Sequence, residues 1–318
     1  MIYQLYAKLK QKGVLSINQR NADYVLKYNS RKLYPVVDNK LKTKQLAAKA
    51  SIAVPQLYQV IENEHQVAEI DKLLAPYQDF VIKPAHGAGG DGIMVISGRV
   101  KDRYRKVNGQ LLTTDDLKYH LSCSLSGAYS LAGHPDQVLI EHRVVVDEVF
   151  SQISYQGVPD IRIIVFLGYP VMAMVRLPTQ QSDGKANLHQ GAIGVGVDLS
   201  SGQTLDGVHK NDVTDVHPDT LNEIAGVQVP YWQEMLQMAA KAYDLTGLGY
   251  LGVDIVLDKE QGPLMLELNA RPGLNIQIAN RQGIDGRLQT IKARASQASD
   301  DVDERIAFSQ QHFEASRA

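Results

Sequence analysis

The alternation of apolar and polar residues predicts helices and strands along the whole chain. Helical spacing covers residues 43–50, 63–75, 114–131 and 230–247. Runs rich in β-branched and apolar residues predict strands over 79–85, 93–98, 138–146, 160–168, 170–178, 252–258 and 263–269. Residues after 285 form a polar tail with helical spacing. The pattern therefore predicts several hairpins separated by helices.

Composition narrows the class of protein. The chain has 318 residues, with 33 Lys and Arg against 35 Asp and Glu, a formal charge of -2. A general nucleic-acid binder normally carries a basic excess, so we expect no nucleic-acid partner. The length suggests two domains or lobes. The single cysteine, Cys123, lies among serines and is interpreted as a bystander thiol.

The sequence also predicts where in the cell the protein is found. The first residues lack the apolar core of a signal peptide, and no run approaches the roughly 18 apolar residues of a membrane helix. We therefore expect no membrane insertion. With one cysteine, no internal disulfide can form, and the expected compartment is the reducing cytoplasm.

A glycine-rich loop joins two predicted strands. It contains Gly87, Gly89, Gly90 and Gly92. Backbone N–H groups of such a hairpin approach a triphosphate closely, and Lys83 in the preceding strand reaches phosphate oxygens. His86 is interpreted as a loop residue rather than a base. The alternative is a flexible, solvent-exposed hairpin with a lysine beside it.

A second constellation lies on the last predicted hairpin. If Asp258 pairs with Pro263, then Asp254 lies opposite Glu267, and Asn269 shares their face. Opposed carboxylates repel each other without a compensating charge, and oxygen ligands of this kind suit Mg²⁺. The sequence therefore predicts a magnesium site. The alternatives are a solvent-facing Asp254 or a shifted register.

In this order, these motifs resemble the ATP-grasp superfamily. The resemblance extends to RimK-like α-L-glutamate ligases, and it rests on VIKPAHGAGGDG, on DIR at 160–162, on KANLHQG at 185–191, on GVDI at 252–255 and on LELNARPGL at 266–274. The opening INQRNADYVLKYNSRKLYPVVDNKLKTK is similar to a narrower branch, the α-L-glutamate ligase homologues.

The resemblance implies an α+β fold in which two α/β lobes with mainly antiparallel sheets clamp ATP. The implied organisation is an abbreviated N-terminal segment (1–39), an N-lobe with a glycine-rich lid hairpin (40–137), a C-lobe with the metal site (138–285) and a helical tail (286–318). RimK-like enzymes carry a complete α/β domain ahead of these lobes, and they have more basic residues near the position of Arg176.

The resemblance also implies residue roles. ATP phosphates would be bound by Lys40, Lys83, His86 and the glycines of the loop, with Lys185 and Asn187 on a polar loop that closes over them. Glu141 and His142 would lie beside adenine, and Asp160 at the ribose. The implied metal ligands are Asp254, Glu267 and Asn269. Arg271 would steady the transferred phosphoryl group, and Arg176 would bind a substrate carboxylate.

Each role has a plainer alternative. Asp160 and Arg162 alternate on one strand and would then pair with each other. Glu141 and Arg143 would be ordinary surface residues, and Arg176 would be solvated.

The implied activity is that of an ADP-forming acid–amino-acid ligase. It would use ATP with Mg²⁺ or Mn²⁺, a carboxylate substrate such as glutamate, and an amine acceptor that is a small molecule, a peptide or a protein terminus. A homo-oligomer is compatible with it. Two alternatives remain: an ATP-grasp kinase with Asp183 or His189 as its base, and a nucleotide-binding regulator without turnover.

Overall fold

The computed structural model describes residues 2–87, 89–130, 133–297 and 299–314. The chain forms two units. The larger contains Met1–Val37, Leu46–Ala53 and Val145–Ala318, and the smaller contains Asp38–Gln45 and Val54–Val144. Among the described helices, none combines the length and apolar character needed to cross a membrane.

The smaller unit is built on a six-stranded antiparallel sheet. In chain order its strands are β1 (Leu57–Ile61), β2 (Phe80–Pro84), β3 (Met94–Val100), β4 (Arg103–Lys106), β5 (Leu111–Leu112) and β6 (Val138–Glu141). They are arranged β1-β6-β2-β3-β4-β5. Its helices are Glu64–Ala68, Ile70–Leu74, Thr114–Leu125 and the first part of Lys40–Lys49. Apolar side chains between the sheet and these helices, such as Phe80, Ile96 and Leu121, are fully buried.

Several predicted boundaries change in this unit. The strand predicted over 138–146 ends at Glu141, and it lies between β1 and β2 rather than in the other lobe. The helix predicted over 63–75 breaks at Glu69, whose backbone is not helical. The helix predicted over 114–131 ends at Leu125, before Gly127 with φ +89°. The final residue of that prediction, Leu131, lies outside the described residues.

The larger unit is built on a seven-stranded antiparallel sheet. Its strands are β7 (Asp160–Phe166), β8 (Tyr169–Leu177), β9 (Ile193–Val197), β10 (Thr204–His209), β11 (Asp212–Thr214), β12 (Tyr250–Asp258) and β13 (Gly262–Asn269). They are arranged β11-β10-β9-β8-β7-β12-β13. Strands β7, β8, β12 and β13 are the hairpin strands predicted from the sequence.

Helices of the larger unit come from both ends of the chain and from between the strands. The α-helices are Ile2–Gln11, Ile17–Gln19, Leu26–Tyr28, Tyr34–Asp38, Glu148–Ser151, Trp232–Thr246, Asn275–Ala279, Asp285–Arg294 and Val302–His312. A π-helical turn, Arg20–Val25, and 3-10 turns at Arg31–Leu33, Leu188–Gln190 and Ala295–Gln297 complete the set. The predicted helix over 230–247 is confirmed as Trp232–Thr246. It ends at Gly247 in the left-handed conformation.

The two faces of the central strands of this sheet differ in chemistry. Because side chains alternate along a strand, Ile161, Ile163 and Val253 lie on one face, fully buried beneath Trp232–Thr246. The opposite face carries Asp160 and Arg162, together with charged residues from the neighbouring strands. One face therefore packs against the helix, and the other carries this group of charged side chains.

The chain ends are integral parts of this unit. The side chain of Asn29 donates to the carbonyl oxygens of Tyr250 and Ala270, at 2.6 and 2.8 Å. The predicted helical tail is present as Asp285–Arg294 and Val302–His312, while residues 315–318 lie outside the described residues. Arg305 anchors it through two hydrogen bonds to Asp244.

Candidate functional site

In the smaller unit, two lysines share one buried carboxylate. Glu141 on β6 lies opposite Val81, so Lys83 is its diagonal neighbour on the same face of the sheet. The Lys83 ammonium contacts one oxygen of Glu141, and Lys44 Nζ lies 2.8 Å from the other. Lys44 also donates to the carbonyl oxygen of Pro55 at 2.7 Å. We call these three side chains, Lys44, Lys83 and Glu141, the lysine–glutamate cluster.

Burial and the ion pairs act in opposite directions on the charges of this cluster. The three residues are only 5%, 5% and 3% exposed. Burial lowers the pKa of Lys44 to about 8, and Lys83 contributes while Glu141 opposes the shift. Burial alone would raise the pKa of Glu141, but the two ammonium groups outweigh it and hold that pKa below its ordinary value. At neutral pH the cluster therefore carries a net positive charge, which suits an anionic ligand.

The base of the glycine-rich loop is held by several polar contacts. The Lys40 ammonium donates to the carbonyl oxygen of Gly87, and the Lys40 backbone N–H donates to Ala85 at 3.0 Å. The His86 backbone N–H and imidazole Nδ1 contact the two oxygens of Asp136, at 2.9 and 2.7 Å. Lys40, predicted to bind phosphate, thus also anchors the loop.

Hydrogen bonding defines the tautomer of His86. The Lys42 backbone N–H donates to Asn39 Oδ1 at 3.0 Å, so Asn39 Nδ2 is the donor that faces His86 Nε2 at 3.1 Å. His86 Nε2 is then an acceptor, and Nδ1–H donates to Asp136. This neutral imidazole acts as a structural link at the base of the loop, in agreement with its interpretation as a loop residue.

Beyond its base the loop is open. Gly89 and Gly90 have φ of +66° and +88°, and a Cβ added at either would meet no described atom within 4 Å. Gly92 is different, because a Cβ there would lie 2.6 Å from the Tyr129 ring. Ala88 lies outside the described residues. A loop with a packed base and an open tip can bring backbone N–H groups close to a phosphate.

The residues predicted to lie beside adenine are the last residue of β6, Glu141, and the next residue, His142. His142 donates its backbone N–H to Gln56 at 2.8 Å, and its Nδ1 lies 3.3 Å from the Tyr58 hydroxyl. Glu141 belongs to the lysine–glutamate cluster, so its alternative as a surface residue is wrong. Arg143 pairs with Asp79 at 3.2 Å and is partly exposed.

In the larger unit, the predicted carboxylate pair is present. Asp254 on β12 lies directly opposite Glu267 on β13, and Asn269 follows two residues later, opposite Gly252. The Asn269 amide nitrogen lies 3.2 Å from Asp254 Oδ2 and 3.5 Å from Glu267 Oε1. The alternative of a solvent-facing Asp254 is wrong, because Asp254 is 2% exposed. The alternative of a shifted register is correct for the start of the hairpin, but Asp254 and Glu267 still lie opposite each other.

The route to that pairing differs from the predicted one. Asp258 pairs with Gly262, not with Pro263, so the ladder begins one residue out of the predicted register. A β-bulge then leaves Leu266 as an extra residue and restores Glu267 to the position opposite Asp254.

Arginines from two strands surround Asp254. Arg162 donates to both oxygens of Asp254, at 2.7 and 2.5 Å, and Arg176 donates to one of them at 3.0 Å. Arg176 also forms a bidentate pair with Asp160, directly opposite on β7. We call these four side chains the arginine–aspartate network. Arg176 is neither solvated nor freely available to a substrate, and Asp160 pairs across strands rather than with Arg162.

The network supplies positive charge beside the two opposed carboxylates. Burial alone would raise the pKa of Asp254, but the guanidinium groups of Arg162 and Arg176 outweigh burial and hold it far below its usual range. With Glu267 included, three carboxylates face two guanidinium groups. The site is therefore negative overall.

The three predicted metal ligands differ in how free their oxygens are. Asp254 receives donors from Arg162, Arg176 and Asn269, which occupy most of its acceptor positions. Glu267 is partly exposed and forms no ion pair within the described part of the chain. No three His, Cys, Asp or Glu side chains of the described residues make a metal-binding group, so a cation would also need the Asn269 amide oxygen. Asn269 turns its amide nitrogen toward both carboxylates, so its side chain would have to rotate to present the oxygen, and Glu267 has the more accessible carboxylate.

The polar loop between β8 and β9 carries Lys185 and Asn187. Lys185 is exposed, and Asn187 caps a short 3-10 turn by accepting the His189 backbone N–H at 3.0 Å. Asp183 and His189, the candidate bases of a kinase, are exposed on the same loop.

Arg271 follows β13. Its guanidinium lies over the ring of Tyr34, 5.2 Å from the centroid.

Three important residues were missed or undervalued in the sequence. Lys44 stands four residues after Lys40, one helical turn away, and that spacing could have indicated it. Arg162 lies within the DIR motif, but only the structure pairs it with Asp254. Asp136 has no local sequence signal, because its role depends on a loop brought next to His86 by folding.

Comparison with known proteins supports one family. Residues 19–293 match the family described as sugar-transfer associated ATP-grasp. The chain belongs to this family. Its two antiparallel sheets with packed helices form an α+β ATP-grasp fold. No curated protein is significantly similar to this ATP-grasp chain.

Several solved structures are similar to this chain at low sequence identity. The ATP-grasp ligase PsnB, complexed with a minimal precursor, is 16% identical with a TM-score of 0.47, over 84% of this chain and 63% of PsnB. D-cycloserine synthetase DcsG is 15% identical with a TM-score of 0.46, over 85% of this chain and 73% of DcsG. A Rhizobium etli pyruvate carboxylase is 15% identical with a TM-score of 0.51, over 86% of this chain and 20% of the enzyme. This ATP-grasp chain thus spans 63% of the length of PsnB.

Proposed function

We propose that this chain is an ATP-dependent carboxylate–amine ligase of the RimK-like type, forming ADP through an acyl phosphate. The observation that carries the proposal is the convergence of Asp254, Glu267 and Asn269 on the charged face of the larger sheet. Two carboxylates and an amide at one point of a strand pair suit a nucleotide-bound divalent cation better than they suit stability alone.

In this proposal the smaller unit binds the anionic part of ATP. Lys83 and Lys44 are presented on one buried carboxylate, so two ammonium groups are held in place for phosphate oxygens. Backbone N–H groups around Gly89 and Gly90 add donors where no side chain intervenes. Lys40 and His86 hold the base of that loop.

Glu267 and Asn269, with Asp254, would hold Mg²⁺ or Mn²⁺. Such a cation, when bound, neutralises charge on phosphate oxygens. The arginine–aspartate network keeps Asp254 ionised and oriented. Because Arg176 is held by two carboxylates, we assign it to this positioning task rather than to a substrate carboxylate.

The proposed chemistry requires no protein nucleophile. An oxygen of the substrate carboxylate attacks the γ-phosphorus, the bond to the bridging oxygen breaks, and ADP leaves. The amine then attacks the acyl carbon, the carbon–oxygen bond to phosphate breaks, and the amine loses a proton. Catalysis of this kind depends on positioning and on cationic groups around the phosphoryl oxygens. Arg271 is the candidate cation after β13.

The substrates follow from the RimK-like resemblance. We propose glutamate or a similar amino acid as the carboxylate donor, and a primary amine of a small molecule, peptide or protein terminus as the acceptor.

Mass analysis after incubation with ATP, Mg²⁺ and a mixture of amino acids and peptides tests the proposal. We expect ADP together with a product equal to two substrates minus water, and neither with Glu267→Gln. If a substrate gains only a phosphate, the protein is a kinase rather than a ligase. If ATP binds and no product forms, the protein is a nucleotide-binding regulator.

A further inference from the structure

The loop that carries Arg271 is held by the N-terminal segment of the same unit. Asn29 is 3% exposed and makes three hydrogen bonds with its amide group. It donates to the carbonyl oxygens of Tyr250 and Ala270, and it accepts the Tyr250 backbone N–H at 2.9 Å. The Asn29 amide thus uses its nitrogen only as a donor and its oxygen only as an acceptor. These bonds join Ala270 to Asn29, which directly follows helix Leu26–Tyr28.

The residue on the other side of Arg271 is held as well. Arg20 Nη1 donates to the carbonyl oxygen of Pro272 at 2.7 Å, while its other nitrogens donate to Asn21. The backbone of Arg271 therefore lies between two carbonyl groups, of Ala270 and Pro272, that are both bound by the N-terminal segment.

The side chain of Arg271 has its own contact with this segment. Its guanidinium lies 5.2 Å from the centroid of the Tyr34 ring, within the range of a cation–π interaction. A guanidinium stacked on a ring keeps its N–H edge available for a further anion. A long arginine side chain would otherwise occupy many rotamers.

We propose that Tyr34 is a positioning residue, and that the N-terminal segment orients Arg271 toward the phosphoryl group in transfer. The inference rests on the proposed function, because it assigns Arg271 to that group. It adds that residues 17–37, within the N-terminal segment (1–39) that the resemblance implies is abbreviated, help to position a catalytic group. Tyr34 itself touches no substrate.

Calorimetry with a phosphoryl mimic tests this without knowledge of the acceptor. The affinity for Mg·ADP is measured with and without aluminium fluoride, for the wild type, Arg271→Ala, Tyr34→Leu, Tyr34→Phe and the double variant Tyr34→Leu/Arg271→Ala. Tyr119→Leu is the matched control, because Tyr119 is 74% exposed and lies in the other unit. Melting curves confirm that each variant is folded.

We expect aluminium fluoride to increase the affinity of the wild type for Mg·ADP. Arg271→Ala should lose about ten- to a hundredfold of that increase, as for a charged hydrogen bond. Tyr34→Leu should lose about two- to fivefold, as for an exposed cation–π pair. Tyr34→Phe and Tyr119→Leu should retain the increase, and Tyr34→Leu should add no loss in the Arg271→Ala background. Affinity for Mg·ADP alone should be unchanged throughout.

The outcomes separate the two proposals. If the wild type gains nothing from aluminium fluoride, phosphoryl transfer is wrong and the inference falls with it. If the wild type gains affinity but Tyr34→Leu keeps the full increase, or if its loss adds to that of Arg271→Ala, only the positioning role is overturned.

Discussion

The lysine–glutamate cluster and the arginine–aspartate network differ in the sign of their net charge and in the type of basic residue they contain. In the lysine–glutamate cluster, two ammonium groups share the single carboxylate of Glu141. In the arginine–aspartate network, two guanidinium groups are outnumbered once Glu267 joins Asp160 and Asp254. The first cluster is therefore suited to an anion and the second to a cation.

The comparison also shows how each charge is maintained. Lysine loses its proton readily when buried, whereas arginine stays charged. In the proposed function the smaller unit would therefore bind its ligand with at least one group, Lys44, whose charge responds to pH above neutrality, whereas the guanidinium groups that orient Asp254 stay charged. Both clusters use buried ion pairs, whose value depends on every partner being present.

The largest effect should come from Asp254→Asn. This change leaves Arg162 and Arg176 buried with fewer anionic partners, so we expect a loss of about 3–5 kcal/mol in the free energy of unfolding. Urea denaturation measures it. Mutual repulsion of the carboxylates would make removal of either charge neutral or stabilising, but for Asp254 the arginines reverse that expectation. An Asp254→Asn protein as stable as the wild type would show that the network contributes little.

Glu267→Gln should separate binding from folding. Glu267 is partly exposed, so we expect a change in the stability of the free protein within about 0.5 kcal/mol. The stabilisation given by Mg·ATP, about 2.7 kcal/mol at a hundredfold excess over Kd, should disappear. Paired melting curves with and without Mg·ATP measure this. If Glu267→Gln keeps both the shift and ADP formation, Glu267 is not a metal ligand.

Lys83→Met should weaken ATP binding about tenfold, as for the loss of a charged hydrogen bond. Because Lys83 is buried against Glu141, we also expect a loss of about 1–3 kcal/mol in the free energy of unfolding. Calorimetry and denaturation measure the two effects. Adding Glu141→Gln should recover stability but not affinity, and recovery of both would remove Lys83 from the nucleotide site.

The smallest predicted effect is a pH dependence from Lys44. In the folded protein its pKa is about 8, below its ordinary value of 10.5. As pH rises from 7 to 9 the ammonium loses its proton, so ATP affinity should fall about fivefold, the difference between a charged and a neutral hydrogen bond. Calorimetry at several pH values measures this.

Stability should respond in the opposite direction. Between pH 8 and 10.5 the unfolded chain keeps the Lys44 proton that the folded protein has lost, so this group's contribution to stability rises with pH. Lys44→Met should bind ATP less tightly at pH 7 but lose the pH dependence. An equal fall in affinity for wild type and Lys44→Met would assign the titration to another group.

Sequence reasoning succeeded where chemistry was local. The hairpin of β12 and β13 follows from alternation and a short connection. The predicted pairing of Asp254 with Glu267 is also present, but only because the bulge at Leu266 offsets a one-residue error in the predicted register. Glycines and Lys83 next to each other indicated the loop. The family resemblance supplied the α+β fold, and the structure confirms it.

What sequence could not show depends on contacts between distant segments. Arg162 and Asp254 are 92 residues apart, and Asp136 is 50 residues from His86. The same applies to β6, whose place between β1 and β2 depends on long-range pairing. A residue pattern gives the type of an element but not its partner in the sheet.

The bulge at Leu266 affects the local twist of β13 but not which residue lies opposite Asp254. Because one extra residue lies between Met265 and Glu267, removing it would leave a regular ladder with Asp254 and Glu267 still opposed. The strand would, however, lose the added local twist that a bulge introduces. A protein engineer could therefore delete Leu266 to alter the direction of the Glu267 carboxylate while preserving its neighbour. A single residue inserted in this strand can likewise be accommodated as a bulge, so that the residues on either side keep their partners.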